Sequence, residues 1–361
     1  MKILFFFPKI NNYSNFKPLI NIATFLTSKE HQVFIATTSQ ISEEQARNFP
    51  NSVIFIQKEL NYSKLKWIDK LLRNDFDCFV GVQAHNAYWL ILGKIVYFRF
   101  KKKVISWEHS SPLSSLKNEY KKTWPIHLII RKFFSIFTNA FFCVSNGAVD
   151  EMRKILGSSS KKAMYTPNFI YNSKDLDILL KKTSNIKKIT FISVGRLSKE
   201  KGLLLSLCAL SKLENIDYEY LIVGNGPCYH ELVKYVEKNP NLNNKIKFLG
   251  RRTDVLSLMM SSDVLLLPSY FEGLPTVLVE ACLSELPIIA ADCNTGPSEI
   301  VKEGVNGYLF EVGNTLDFFS KIEKWIKNRK NIKNHAYYAK DYSEQAGEHF
   351  LKNILRVVYD K

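Results

Sequence analysis

Two glutamates stand eight positions apart in the stretch FEGLPTVLVEA, Glu272 and Glu280, with Gly273, Pro275 and Thr276 between them. Proline suits the opening of a helix, where its fixed φ is already helical and its missing N–H is not needed. A helix opening at Pro275 turns the N–H groups of Thr276 and Val277 outward, and such helix starts hold anions. Glu280 lies four residues after Thr276, so it falls on the same face. A phosphate at the helix start then has one carboxylate where ribose hydroxyls would lie and Glu272 on its other side. The spacing suits a ligand built as nucleoside, diphosphate and sugar. The plainer alternative is a solvated helix face, with Glu272 in a turn.

Three further stretches follow apolar runs. In VGRLSKEKG, Gly195 allows close backbone approach, Arg196 offers a planar fork for phosphate, and Lys201 adds a point charge early in the next helix. Together they can neutralise a diphosphate without a metal. VGNGP, with Asn225 between glycines, is short of a full GxGxxG and reads equally as a tight turn. In FLGRRTD, backbone groups at Gly250 and Arg251 can meet a nucleobase, and Asp254 is expected to cap the following helix. The pairs Asp75/Asp77 and Asp175/Asp177 have DxD form, but the first precedes a strand and the second lies in a polar linker. No metal site is expected.

The elements that must position these residues are legible as alternating strands and helices. KILFFFP, QVFIATT, SVIFIQ, CFVGVQ, KVISWEH and AFFCVSN are strand candidates in the first half. KITFISVGR, YEYLIVGNG, KIKFLG, DVLLLPS, LPIIAAD and GYLF are those of the second. Continuous apolar strands separated by amphipathic helices indicate parallel sheets with both faces covered. The fold class expected is α/β: two doubly wound, Rossmann-like domains. The boundaries are 1–170, a polar linker at 171–188, and 189–340, with 341–361 as an amphipathic helix packing back on the first domain. In such sheets ligands sit beyond the carboxyl ends of the strands, where Gly195, Arg196, Gly250, Glu272 and His109 all fall.

The six cysteines form no CxxC pair and no cluster with histidines, which fits reduced core residues of a cytosolic protein. The longest apolar run, AYWLILGKIVYF, carries Lys94 and is too short to span a bilayer. The net charge is +16, and between positions 94 and 132 ten basic residues face two acidic ones, interleaved with aromatics. That composition suits an anionic membrane face or a phosphate-bearing acceptor. Nucleic acid also fits in principle, but is not the expected partner. A solvated lysine-rich surface is the plainer reading.

The motifs taken together resemble those of the retaining, GT-B-fold glycosyltransferases of family 4. FEGLPTVLVEA resembles that family's E-x7-E motif, and GRLSKEKG its GRL…KG segment. CNTGPSEIVKEGVNGYLF, CVSNGAVDEM and TPNFI resemble further segments. The resemblance implies two domains facing across a cleft, and a transfer of a hexose or N-acetylhexosamine from a UDP-sugar to a glycan or lipid-linked acceptor. It implies Glu272 at the donor sugar, Glu280 at the ribose, Arg196 and Lys201 at the leaving diphosphate, and His109 approaching the donor sugar. Gly195, Asn225, Gly250, Arg251, Gly273, Leu274, Thr276 and Val277 would complete the substrate contacts, with Glu299 structural or beside the sugar. No cofactor is implied, since the nucleotide sugar is a substrate. The relatives with a C-x-x-GP-x-E-I form build bacterial surface glycans, which implies a cytoplasmic protein on the inner membrane face. One departure is the glycine-free stretch KINNYSNFKPL at 9–19, where the family has a glycine-rich loop. An epimerase on the same fold, or a non-enzymatic basic binding protein, are the rival readings.

Overall fold

The computed structural model describes residues 1–8, 13–171 and 188–360. The chain divides into two compact units: Met1–Asn172 with Asp341–Lys361, and Ser173–Lys340. The linker expected at 171–188 lies, but for its end residues, outside the described residues, as do Asp175 and Asp177.

The first unit is built on β1 (Lys2–Phe6), β2 (Gln32–Thr37), β3 (Ile54–Gln57), β4 (Cys78–Val82), β5 (Val104–Glu108), β6 (Ala140–Cys143) and β7 (Ala163–Tyr165). They lie in the order β3-β2-β1-β4-β5-β6-β7, and every pairing is parallel. β4 and β5 are buried along their whole length because helices cover both faces. The helix Glu344–Tyr359 belongs to this unit: Phe350 packs on Phe5, Trp107 and Phe142, at ring-centroid distances of 6.0, 4.9 and 5.3 Å.

The second unit carries β8 (Ile189–Val194), β9 (Tyr218–Val223), β10 (Ile246–Gly250), β11 (Val264–Leu267), β12 (Ile288–Ala291) and β13 (Gly307–Phe310). Their order is β10-β9-β8-β11-β12-β13, again parallel throughout. The chain winds one way from β8 to β10, then returns to the other side of β8 with β11. Two doubly wound Rossmann-like units result, with switch points between β1 and β4 and between β8 and β11.

Several expectations need correction. β7 is a strand that the sequence pattern missed. The stretch 9–19 is not all loop: a helix runs from Tyr13 to Ser28. Lys201 stands in a 3-10 turn, Lys199–Lys201, ahead of the helix Leu203–Leu210 rather than inside it. Asp254 precedes the helix Val255–Met260 but makes no side-chain cap; its carboxylate takes two bonds from Arg252, at 2.8 and 2.7 Å.

The basic stretch 94–132 is also not a single charged surface. Arg131 is buried and pairs with the buried Glu108 at 2.6 Å, and Ser106 donates to the same carboxylate at 2.6 Å. Lys94 is buried too, donating to the Phe137 carbonyl at 3.0 Å. Arg99 is tied to Asp69 at 3.1 Å. The sequence counts charges but does not reveal which face they take. The cysteines are free thiols; burial pushes those of Cys282 and Cys293 up to about 12. Among the described residues no helix is long and apolar enough to cross a membrane.

Candidate functional site

At the carboxyl edge of the second sheet, the loops after β8, β9 and β10 lie side by side. The Gly195 N–H donates to the Val223 carbonyl at 2.9 Å, and the Gly224 N–H to that of Gly250 at 2.8 Å. Gly224 has φ +132°, and a Cβ there would stand 1.9 Å from the Gly195 oxygen. Only glycine allows this approach, which leaves a floor of bare backbone at the strand ends. Asn225 and Arg251 are exposed beside it. The Arg196 side chain is exposed and has no hydrogen-bond or ionic partner among the described residues.

The switch point between β8 and β11 gathers the charged groups. Gly202, at φ +61°, lets the Lys199–Lys201 turn press against the end of β11, where a Cβ would meet the Pro268 oxygen at 2.1 Å. The Tyr270 N–H donates to the Glu200 carbonyl at 2.8 Å and fastens the two loops. Lys201 Nζ thereby reaches Glu272 Oε1 at 2.6 Å. Ser269 Oγ donates to the same oxygen at 2.6 Å, and Thr295 Oγ1 donates to the Glu272 carbonyl. Glu272 is 8% exposed. Its Oε2 takes no protein donor among the described residues.

Lys201 and Glu272 are therefore one unit rather than two separate contacts. A carboxylate held by two donors through one oxygen presents the other to a ligand hydroxyl. A lysine already paired contributes less free charge than an isolated one, whereas Arg196 has no ionic partner among the described residues. The third positive element is the start of the helix Thr276–Leu283. Pro275 is its N-cap, one residue earlier than a first helical position, and no side chain caps it. Gly273 and Leu274 are buried in the turn leading there, and Glu280 is half-buried on the helix with Val277 buried ahead of it. Glu299, also half-buried, lies in the short helix Pro297–Ile300 after β12.

In the first unit His109 follows β5. Its ring lies 4.4 Å from that of Trp107, and its Nε2 is sealed from water without a partner. Burial holds its pKa down to about 3, so the imidazole is neutral at ordinary pH. Among the described residues no group of three His, Cys, Asp or Glu is placed to hold a metal ion. Asp77 instead accepts from the Lys2 backbone at 2.7 Å, which pins the start of β1.

The sequence singles out Lys201 and Glu272 but not their pairing, nor Ser269 and Thr295, which hold Glu272 in place. Ser269 stands three residues before Glu272, a spacing that could have flagged it. Glu108, adjacent to His109, shows in the sequence only as a charge, without its buried partners Arg131 and Ser106.

The family model described as "Glycosyl transferases group 1" matches residues 177–342, and "Glycosyltransferase Family 4" matches 19–173. The chain belongs to the GT-B-fold glycosyltransferases. The transferase is 26% identical to a Campylobacter jejuni α-1,4-N-acetyl-D-galactosaminyltransferase named for a diphosphoundecaprenol-linked acceptor, over 99% of both chains. It is 27% identical to an uncharacterized glycosyltransferase of Methanocaldococcus jannaschii over 60% of this chain, a match spanning 55% of that protein's length. Among solved structures it resembles the lipopolysaccharide outer core galactosyltransferase WaaB (TM-score 0.76, 18% identity, 98% of this chain and 99% of that one). It also resembles Anabaena HepE in complex with UDP-glucose (TM-score 0.74, 18% identity, 99% and 98%).

Proposed function

We propose that the transferase moves a hexose or N-acetylhexosamine from a UDP-sugar, with retention at C1, to a lipid-linked or lipopolysaccharide-type glycan at the inner face of the cytoplasmic membrane. The observation that carries the reading is the Lys201–Glu272 pair at the switch point, with Arg196 exposed beside it and the uncapped helix start at Thr276. The named activities of the relatives, and the UDP-glucose held by one structural neighbour, support the choice of donor and acceptor class.

In this reading the bond between C1 and the diphosphate oxygen breaks toward an oxocarbenium-like state. Negative charge grows on the leaving UDP and is met by Arg196, Lys201 and the N–H groups of Thr276 and Val277, groups fixed in place beforehand. Glu272 Oε2 holds the donor sugar through its hydroxyls, and Glu280 the ribose. The glycine floor at Gly195, Gly224 and Gly250, with Asn225 and Arg251, takes the base. The acceptor hydroxyl forms its bond to C1 on the face the diphosphate leaves, and its proton passes to the departing phosphate oxygen. His109, neutral, offers the donor sugar a hydrogen bond rather than a charge. The chain's own cations do the electrostatic work, so the reaction calls for no resident cofactor or metal.

The test is a thermal-shift panel with UDP, GDP, ADP and dTDP on the wild type and on Arg196→Ala/Lys201→Ala. A ligand at a hundredfold over its Kd adds about 2.7 kcal/mol. A shift with UDP alone, lost in the double variant, is the expected result. A shift with another nucleotide changes the donor, and no shift with any of them overturns the site.

A further inference from the structure

The helix Trp124–Phe137 is built inside out. Its inward face presents Arg131, 3% exposed, and Ser135. Its outward face presents Ile126, Ile129, Phe133 and Ile136, at 58, 68, 52 and 65% exposed. The steps of three and four residues put these four on one stripe opposite Arg131. Amphipathic helices of soluble proteins turn such a stripe to the core. Here the Arg131–Glu108 ion pair takes part of the core side, beside Phe134 and Phe137, which pack on the core of the first unit, and the four-residue stripe faces away.

The stripe continues onto neighbouring chain. Phe98 is 79% exposed at φ +56°, a backbone conformation that a bulky side chain rarely takes. Its ring lies 6.0 Å from that of Phe100, Phe100 lies 6.1 Å from Phe137, and Phe137 lies 5.7 Å from Phe133. One apolar patch results, and Lys101, Lys132 and Lys161 are exposed around it.

Beside Phe100 and Ile136 opens a pocket of about 320 Å³ that also takes in Lys94, Lys162 and Thr138. Lys162 Nζ donates to the Ser135 and Ile136 carbonyls at 2.9 and 3.2 Å. Lys94 Nζ donates to Phe137 O at 3.0 Å and Asn139 Oδ1 at 3.3 Å. These bonds cap the end of the helix, yet neither ammonium meets a carboxylate among the described residues, and each has a third donor. Burial is the main cause that lowers the Lys94 pKa to about 8, with a smaller contribution from the nearby Lys162 and Lys103. Capping explains the two lysines but not six exposed apolar side chains. A protein partner would leave the one-signed rim unexplained, whereas an anionic bilayer answers both features.

We propose that this face docks on an anionic phospholipid bilayer. Ile126, Ile129, Phe133 and Ile136, with Phe98 and Phe100, enter the acyl boundary, and the Lys94–Lys162 pocket takes the phosphate of a lipid headgroup. The pocket lies at the amino ends of β5 and β6, where Asn139 Oδ1 accepts from the Val104 N–H at 2.9 Å. His109, past the other end of β5, stays clear of it. The inference stands apart from the transfer chemistry, because lipid binding is read without any sugar.

The experiment is sedimentation with vesicles of phosphatidylcholine alone or mixed with phosphatidylglycerol. The proteins are the wild type, Ile129→Asp/Phe133→Asp and Lys162→Met, each first shown by circular dichroism to melt cooperatively. The wild type is expected to partition onto the anionic vesicles and not the neutral ones. The Ile129/Phe133 variant should lose at least tenfold in partitioning. Lys162→Met should lose several-fold and only on anionic vesicles. Wild type left in the supernatant overturns the docking face, as does equal binding by the Ile129/Phe133 variant. So does a fall in that variant from dimer to monomer with vesicle binding unchanged, which would assign the stripe to a second protein copy. Lys162→Met behaving as wild type overturns the headgroup pocket.

Discussion

The carboxyl edges of the two sheets are made of different materials. In the second unit the edge is bare glycine backbone with charges fastened to it: Lys201 to Glu272, Ser269 to the same carboxylate, and Arg196 exposed. In the first unit the charge at the end of β5 is spent inward. Glu108, the last residue of β5, is consumed by Arg131 and Ser106, and the next residue, His109, is a neutral ring with a sealed nitrogen. One edge is equipped to hold an anion. The other is equipped to stay rigid and to present a dipole. On the proposed reading, the groups that would stabilise developing negative charge all belong to the second unit.

The comparison can be broken or sharpened by substitution. The largest effect is expected at Glu272. Glu272→Gln keeps the shape of the turn but removes the partner of Lys201. The transfer rate should fall about 10²- to 10³-fold in kcat, read as UDP release from a UDP-sugar in the presence of acceptor. A change of less than about threefold would put the chemistry elsewhere. Next comes the buried pair of the first unit. Glu108→Ala strands Arg131 without a counter-charge and should cost about 3–5 kcal/mol of stability. UDP binding, measured by calorimetry at low temperature, should persist. If binding is lost with stability, the two edges are not independent.

A smaller effect belongs to His109. Its pKa of about 3 lies below the ordinary 6.5, so the unfolded chain binds the proton more readily. Its contribution is complete above about pH 6.5 and is lost as pH falls toward 3. Urea titrations at pH 7.0 and 5.5 should show the wild type losing about 1 kcal/mol more than His109→Phe. Equal losses would mean that the ring is not held neutral. The smallest effect is expected at Arg252, whose pairing with Asp254 is fully solvent-exposed. Arg252→Ala should leave both the melting midpoint and nucleotide binding unchanged, in contrast with Arg196→Ala.

The same contrast explains what could be read from the chain. Strands such as CFVGV and VLLL are legible because burial on both faces makes them continuously apolar. β7 is three residues beside Lys161 and Lys162, too short to leave a pattern. The phosphate-side residues are local: Gly195 to Lys201 is one loop, and Glu272 to Glu280 one turn and helix. Their union is not, since Lys201 and Glu272 are 71 positions apart. Arg131 misled for a physical reason. A charged residue among isoleucines is normally the exposed one, and in this helix it is the isoleucines that face out. The supports of the first unit, Glu108 with Arg131 and Asn353 with Tyr165, join residues whose types announce nothing singly.

The helix Glu344–Tyr359 sets the order in which the molecule can be completed. Phe350 closes the space between Phe5, Trp107 and Phe142, and Gly347 lies against Phe25, where a Cβ would come within 2.7 Å of the ring. During synthesis every strand of both sheets leaves the ribosome before this helix does. The second unit can then close while the first, begun earlier, still exposes an aromatic cleft. The half that starts first finishes last, and in that interval Trp107 lacks the ring that closes over it.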